Sequence, residues 1–325
     1  MNPGKELVIA TKPFMQETRW KSWYYTFSTV LILVMLMVGT LLLEPFLLRL
    51  ACSIMGGLVM VRLFVISHDF QHHAILNKSP LANALFTIFG IYTLVPSNIW
   101  KRSHDYHHTH NSKLFSASIG SYAIMEKEKY KTATRKEKIR YLASRHPLTI
   151  LFGYVSMFMY GMCIESLRSN FRKHWDSLVS LVVHISLSIF ILVYAGWVTW
   201  LLFIFIPFFV SGMIGAYLFY AQHNFPGVTF KNNVEWSYSD AALESSSYMT
   251  MSPFWRWITA NIGYHHIHHI NARIPFYRLP EVMAHFPELQ HAKKTSLRPS
   301  DIIACLRLKV WDASAKKMIP LTELK

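Results

Sequence analysis

Histidine carries the clearest chemistry in this chain, because twelve of its seventeen histidines fall in four short clusters. The clusters read HDFQHH, HDYHHTH, QHNFPG and HHIHH, and they begin at His68, His104, Gln222 and His265. Neutral imidazole is a good ligand for iron, zinc and copper. A concentration of histidines of this kind therefore indicates a metal site.

The spacing inside the clusters is typical of α-helices, in which residues at i, i+3 and i+4 share one face. Three clusters contain histidines at this spacing, and the fourth contributes one histidine that follows a long apolar run. We therefore predict nine ligands, which are His68, His72, His104, His107, His108, His223, His265, His268 and His269. A single ion takes only a few ligands, so eight or nine imidazoles suit two metal ions with four or five each.

Other residues of the clusters are candidates for a supporting role. Asp69 and Asp105 each follow a predicted ligand and can accept an N–H from a ligand imidazole. His73 and His266 lie off the predicted ligand faces and are further candidates for this outer role. No glutamate recurs in the clusters, which excludes the Glu-x-x-His site of helical bundles. The three scattered cysteines indicate neither a disulfide framework nor a zinc site.

The composition indicates that these clusters are positioned by a membrane protein. Hydrophobic residues make up 52% of the 325 residues and charged residues 16%, whereas soluble domains carry about 25% charged residues. The net charge of +15 would suit either nucleic acid or an anionic membrane surface. Because the basic residues lie between long apolar runs, we predict a membrane partner and no nucleic acid.

Four apolar runs have the length of transmembrane helices. They cover about residues 24–43, 50–66, 178–198 and 201–220. We predict one all-α integral membrane domain over residues 1–325, with two transmembrane hairpins and a helical cap at about 67–177 and 221–325 that carries the histidines. Arg62, near the end of the second run, is expected to reach the membrane interface.

Two weaker apolar runs, at about 81–95 and 148–162, are expected to lie at the membrane surface. An odd number of crossings between clusters would otherwise separate the histidines across the bilayer. His184 lies inside the third predicted span, and we interpret this isolated histidine as bonded to a neighbouring helix.

Charge sets the expected orientation. The segment from Ser97 to His146 is rich in lysine and arginine, which the positive-inside rule places in the cytoplasm. The histidine clusters are therefore expected to face the cytoplasm. Because no retention or transit signal is evident, a bacterial inner membrane is favoured over the endoplasmic reticulum.

The order HxxxH, HxxHH and HxxHH, with membrane hairpins between the motifs, resembles the membrane fatty acid desaturase and hydroxylase superfamily. Asn261–Pro275, with Ser245–Tyr248 upstream, is similar to the third histidine box of acyl-lipid desaturases. The similarity extends over about residues 59–279. Gln71 stands where the first box of such enzymes commonly has glycine, and His73 is additional, which bears on the substrate subgroup.

The resemblance implies that the nine histidines bind two iron ions. It also implies an O₂-dependent reaction that removes two hydrogens from a lipid-linked acyl chain, leaves a cis double bond and forms water. A methyl-end specificity of the delta-12 kind is expected. The chain contains no His-Pro-Gly-Gly motif of a cytochrome b5 domain, so the electron donor is expected to be a separate protein of the ferredoxin or cytochrome b5 type.

Two alternatives remain open from the sequence. The same scaffold and ligands would serve a lipid or carotenoid hydroxylase or ketolase. A membrane metal transporter is an alternative from a different class, although its ligands would be expected inside the spans, along a pathway. In this chain the clusters lie outside the apolar runs.

Overall fold

The computed structural model of the chain describes residues 3–114, 122–232 and 234–324, and over these residues the fold is mostly helical. The α-helices are α1 (Pro3–Ala10), α2 (Arg19–Leu42), α3 (Phe46–Gln71), α4 (Pro80–Tyr92), α5 (Ser97–His110), α6 (Lys127–Thr132), α7 (Arg135–Ser144), α8 (Pro147–Leu151), α9 (Glu165–Ser169), α10 (Trp175–Trp200), α11 (Ile206–Ala221), α12 (Tyr238–Glu244), α13 (Pro253–Ile258), α14 (His265–Ile270), α15 (Leu279–His285), α16 (Pro287–Gln290) and α17 (Pro299–Arg307). Tyr154–Ile164 and Leu201–Phe205 are π-helical, and Lys12–Met15, Phe276–Arg278 and Leu321–Glu323 are 3₁₀ turns.

Four short strands accompany the helices in the part of the chain that the structure describes. Strand β1 (Tyr248–Thr250) pairs in parallel with β2 (Lys294–Ser296), with Met249 opposite Thr295. Strand β3 (Val310–Asp312) pairs antiparallel with β4 (Lys317–Ile319). The backbone N–H of Met249 also donates to the carbonyl of Gly263 at 2.8 Å, which fixes the segment that leads into α14.

Within the described residues, three helical stretches are long and apolar enough to cross a membrane: α2, α3 and the stretch Trp175–Ala221. The pair α4 and α5, which is bent by 96°, is a fourth candidate. Large apolar side chains of α2 and α10, such as Leu31 and Ile189, are exposed on the outside of the bundle. Such surfaces are stable against lipid rather than water, as expected of a membrane protein.

The stretch Trp175–Ala221 folds back on itself near Gly196. Gly196 has φ +80° and ψ 168°, a conformation that glycine adopts without a steric penalty. The rings of His184 and Phe208 lie 4.7 Å apart, whereas a straight helix would separate these residues by about 36 Å. The chain therefore reverses near Gly196, which brings the His184 side chain of α10 into contact with Phe208 of α11.

Helix α3 is the central helix of the bundle. In its most apolar window 61% of the residues are buried, compared with 22% in that of α2. It packs closely on α11, because a Cβ added to Gly57 would lie 2.7 Å from the carbonyl oxygen of Pro207. This close packing sets the C-terminal end of α3, with its histidines, beside the end of α11.

The expectation for Arg62 is corrected by the structure. Its side chain is buried instead of reaching the surface. It donates to the hydroxyl of Thr29 at 3.0 Å and to the carbonyl of Trp257, and its guanidinium lies 4.4 Å from the Trp257 ring. Neighbouring helices therefore supply the polar contacts that we expected Arg62 to find at the interface.

The two weaker apolar runs are helical. The first forms α4 and ends at Leu94, whose φ of +61° turns the chain before Pro96 precedes α5. The second runs through α8 and the π-helical segment, which crosses α11 where Gly153 faces Gly212. A Cβ at Gly153 would lie 2.4 Å from the Gly212 carbonyl, so the crossing depends on the absence of a side chain there.

Candidate metal centre

The nine predicted histidines converge from four parts of the fold. His68 and His72 come from the C-terminal end of α3, and His223 follows the end of α11. The others come from α5 and from the short helix α14, namely His104, His107, His108, His265, His268 and His269. Their ring nitrogens fall into two groups, and within each group the atoms lie within 4.8 Å of one another.

The first group contains five imidazoles: His68, His72, His104, His108 and His268. The Nε2 atom of His104 lies at its middle. It is 2.7 Å from Nε2 of His68, 2.9 Å from that of His72 and 3.1 Å from that of His108. The Nε2 atom of His268 is 3.1 Å from that of His108.

The second group contains four imidazoles: His107, His223, His265 and His269. Nε2 of His265 is 2.9 Å from Nε2 of His223 and 3.1 Å from that of His269. Nε2 of His107 is 3.2 Å from that of His269. The two groups adjoin, since the rings of His108 and His269 stack with their centroids 4.3 Å apart.

Hydrogen bonding between the rings does not account for this geometry. A ring nitrogen carries either one proton or one lone pair, yet Nε2 of His104 has three other ring nitrogens within 3.1 Å. Two imidazole nitrogens bound at right angles to one ion, each at about 2.1 Å, lie roughly 3 Å apart. The donor set and its spacing therefore fit one metal ion in each group.

The charge states of His223 and of the three ligand candidates in α14 agree with the binding of metal ions. Burial lowers the pKa of His223 to about 4, and it holds the pKa values of His265, His268 and His269 well below their usual range. These rings are therefore neutral near pH 7. Neutral imidazole is the form that binds a metal.

One ligand candidate is oriented by the backbone. The ring of His223 has Nδ1 2.9 Å from the carbonyl oxygen of Ser245, so Nδ1–H donates to that oxygen and Nε2 is left to face the second group. Ser245 begins the Ser245–Tyr248 stretch that, together with Asn261–Pro275, resembles the third histidine box of acyl-lipid desaturases. The structure thus places this stretch directly behind the second group.

The four candidates for an outer role lie in different surroundings. Asp69 is buried, with Oδ1 3.6 Å from Nδ1 of His68, and its Oδ2 accepts from the backbone N–H of Phe276 at 2.6 Å. His266 is also buried, facing the Tyr248 ring at 5.8 Å. Asp105 and His73 are both exposed. Asp105 follows His104 by one residue, so its side chain points about 100° away from the face that carries the ligand candidates. This position does not support the prediction that Asp105 accepts an N–H from a ligand imidazole.

Sequence reasoning missed Trp100, which is part of the site. Its ring stacks on that of His104, with centroids 4.6 Å apart and planes 14° from parallel, and it is also 5.2 Å from the Phe64 ring. Trp100 and Phe64 stand four residues before His104 and His68 respectively, so each lies one turn before a candidate ligand. An aromatic residue at i−4 from a ligand was the signal that could have indicated this.

An apolar cavity, partly open to the outside and with about 410 Å³ of empty space, adjoins Phe64 of this aromatic pair. Phe64 is one of its lining residues, together with Met60, Val61, Phe89, Phe158 and Phe208. The cavity runs between α3, α4, the π-helical segment and α11. Its walls suit a hydrocarbon chain, and its Phe64 end is separated from the first histidine group by Trp100.

Comparison with known proteins agrees with this arrangement. Residues 44–299 match the family model described as fatty acid desaturase. The chain is 28% identical to "Fatty acid desaturase" of Bacillus subtilis over 281 residues, which cover 86% of this chain and 79% of the relative.

Two further relatives have names that specify lipid-linked substrates. The "sn-1 acyl-lipid omega-3 desaturase (ferredoxin)" of Nostoc is 25% identical, over 80% of this chain and 73% of the relative. The "sn-1 oleoyl-lipid 12-desaturase" of Arthrospira platensis is 21% identical, over 85% of this chain and 79% of the relative. With a family match over most of its length and two histidine groups inside an apolar helical fold, the chain belongs to the fatty acid desaturase family and is an oxidoreductase.

Proposed function

We propose that this protein is a di-iron, O₂-dependent desaturase that introduces a cis double bond into a lipid-linked acyl chain. The observation that carries the proposal is the pair of adjoining histidine groups, with five and four imidazoles, in a fold whose apolar cavity is lined by Phe64, one helical turn before His68. We further propose methyl-end, delta-12-like specificity, for which the name of the Arthrospira relative gives support.

In this proposal the nine histidines are the protein ligands of two iron ions, one in each group. When bound, the iron ions would supply the activation of O₂ and the removal of hydrogen from the chain. The protein holds these imidazoles in place from α3, α5, α14 and the segment that follows α11. Trp100 and Phe64 cover the side that faces the cavity, so that water is excluded where the hydrocarbon passes.

The cavity is the proposed site of the acyl chain. Its lining is mostly apolar, with Met60, Val61 and Phe64 from α3 and Phe208 from α11, and none of its lining residues is charged. Apolar walls of this kind bind hydrocarbon by burial alone. The names of the Nostoc and Arthrospira relatives both specify lipid-linked chains, which favours a lipid substrate for this chain.

We propose four membrane spans, made of α2, α3 and the two arms that meet at Gly196. Both α3 and α11 end at candidate ligands, so an even number of crossings between them brings the ligands to one face. The lysine- and arginine-rich segment around α6 and α7 favours the cytoplasm for that face. A bacterial inner membrane is the proposed location, in keeping with the bacterial source of the relative from Bacillus subtilis.

Electrons must come from a donor, and we propose a separate protein. The name of the Nostoc relative specifies ferredoxin, which makes a ferredoxin-type donor the first to test, with a cytochrome b5 type as the second. The basic surface of the cap would attract an acidic carrier of either type.

The test is to express the chain in a host with a simple fatty acid profile, together with a suitable electron donor. Total lipids are analysed by mass spectrometry that locates double bonds, and the His107→Ala variant serves as the inactive control. A new unsaturated acyl chain that is absent with the variant is expected. A hydroxylated or ketolated lipid, or no new lipid despite iron loading and a working donor, would contradict acyl desaturation.

A further inference from the structure

The apolar cavity is one of three that follow one another through the bundle. A cavity of about 260 Å³, which reaches Gln71 and Trp100 near the first histidine group, shares Phe64 and Phe89 with the 410 Å³ cavity. The 410 Å³ cavity in turn shares Met60 with a deeper one of about 240 Å³. The three volumes therefore form a series that starts near the metal centre and leads toward the far side of the bundle.

An aromatic pair separates the second cavity from the third. Phe208 lines the 410 Å³ cavity, and Tyr92 lines the deeper one. Their rings meet edge to face, with centroids 5.2 Å apart. Phe208 and Tyr92, with Met60 beside them, are called the partition below. If the partition were removed, the two cavities would join into one longer space.

The partition is held in place by a buried polar pair, Tyr154 and His184, of which Tyr154 also lines the 410 Å³ cavity. The Phe208 ring is 4.7 Å from the ring of His184 and 5.4 Å from that of Tyr154. The hydroxyl of Tyr154 and Nε2 of His184 are hydrogen-bonded at 2.5 Å, and both side chains are buried. This bond links the π-helical segment to α10, so the position of Phe208 is fixed by two neighbouring elements.

The partition lies at a defined distance from the metal end of the cavity. Phe219, further along α11, has its ring 5.6 Å from Trp100 and 6.0 Å from Phe64. Eleven residues separate Phe208 from Phe219, which corresponds to about 16 Å of helix. A chain that enters past Trp100 and runs along α11 would therefore meet the partition at its methyl end.

We propose that Phe208, with Tyr92, stops the methyl end of the acyl chain and thereby sets the position of the new double bond, counted from that end. This inference rests on the proposed desaturase function. Phe208 is the specificity-determining residue, and Tyr154 and His184 are positioning residues that act through it. Two substrates of different length then receive the double bond at the same distance from the methyl end, and at different distances from the carboxyl end.

The experiment compares the wild-type protein with Phe208→Ala in a host that supplies chains of 16 and 18 carbons, both saturated and with one double bond. The matched control is Phe209→Ala, because Phe209 packs on Phe152 and Phe205 and is not among the lining residues of these cavities. Mass spectrometry locates the double bond in each lipid. Since an extended hydrocarbon advances about 1.2 Å per carbon, removal of the ring is expected to move the double bond about two to four carbons further from the methyl end.

Three results would overturn the inference: an unchanged position in an active Phe208→Ala protein, the same shift in Phe209→Ala, or a wild-type position that is constant from the carboxyl end. If Phe208→Ala gives no product, Met60→Phe provides a second test, because the larger side chain fills the deep end of the 410 Å³ cavity. A shift toward the methyl end is expected for it, and an unchanged position would overturn the inference. Wild-type protein that forms no double bond in either chain would instead overturn the proposed function, and the inference with it.

Discussion

His107 and His268 hold the same place in the two HxxHH motifs, and each lies in the histidine group opposite to that of its two motif partners. In α5 the pair His104 and His108 joins the first group while His107 joins the second. In α14 the pair His265 and His269 joins the second group while His268 joins the first. Each motif thus contributes to both groups, and the two helices together tie the groups into one centre.

Because each motif contributes to both groups, we predict that substitution of one histidine affects a different group from substitution of its motif partners. We expect His107→Ala and His268→Ala each to lower turnover at least about 100-fold, because an open position disturbs the whole centre. His107→Ala should leave the five-histidine group intact, whereas His268→Ala should leave the four-histidine group intact. Iron content and the spectroscopic signal of the remaining ion, measured on purified variants, check this.

The matched control for these variants is His110→Ala, on the same helix and outside both groups. It should retain wild-type iron content and activity. Equal iron loss from His110→Ala would indicate that unfolding of α5, rather than loss of a ligand, explains the other variants.

The two aspartates are expected to respond differently to removal of their charge. Asp69→Asn should weaken iron binding about 10- to 100-fold, because buried Asp69 lies beside His68 and accepts from the Phe276 backbone. Asp105→Asn should leave binding unchanged, since Asp105 is exposed. Competition with a chelator, followed by metal analysis, measures both. A similar effect of the two substitutions would contradict the roles assigned here.

Trp100 is expected to affect the use of oxygen more than the binding of iron. Trp100→Leu removes the ring that lies between His104 and the cavity. Iron content should remain that of the wild type. The ratio of O₂ consumed to double bonds formed should rise, because water is excluded less completely and the substrate is held less firmly. Trp175→Leu, at an exposed position, is the control. An unchanged ratio in Trp100→Leu would show that the ring has no such part.

Two adjacent glycines of α3 offer a test of the helix packing. A Cβ at Gly57 would lie 2.7 Å from the Pro207 carbonyl, while a Cβ at Gly56 meets nothing within 4 Å. Gly57→Ala should therefore destabilise the protein by about 1–3 kcal/mol, and Gly56→Ala by less than about 0.5 kcal/mol. Thermal unfolding in detergent, followed by circular dichroism, compares them. Equal midpoints would argue against the close α3–α11 packing.

The sequence was sufficient for the parts of the site that depend on local geometry. Helical spacing selected eight of the nine histidines that the structure brings together, and the ninth, His223, was predicted because it follows the last apolar run. The boundary predicted between the third and fourth apolar runs lies within a few residues of Gly196, where the chain reverses. The interpretation of His184 as bonded to a neighbouring helix is confirmed by its hydrogen bond to Tyr154.

The features that were not predicted depend on contacts between segments that lie far apart in the sequence. The spacing of residues along one helix gives no information about such contacts. Which histidine joins which group follows from the placement of α5 against α14. Arg62 was expected at the interface because its partners Thr29 and Trp257 lie far away in the sequence. The partition at Phe208 was not predictable for the same reason, since its neighbours come from four separate elements.

The central claim is that the nine histidines form two iron sites in one centre, and iron stoichiometry tests it most directly. Protein purified from iron-supplied cells is analysed for metals by mass spectrometry and for its iron environment by Mössbauer spectroscopy, in parallel with its desaturase activity. The account predicts about two iron ions per active chain, in nitrogen-rich surroundings. Full activity with a single ion per chain, or with zinc in place of iron, would contradict it.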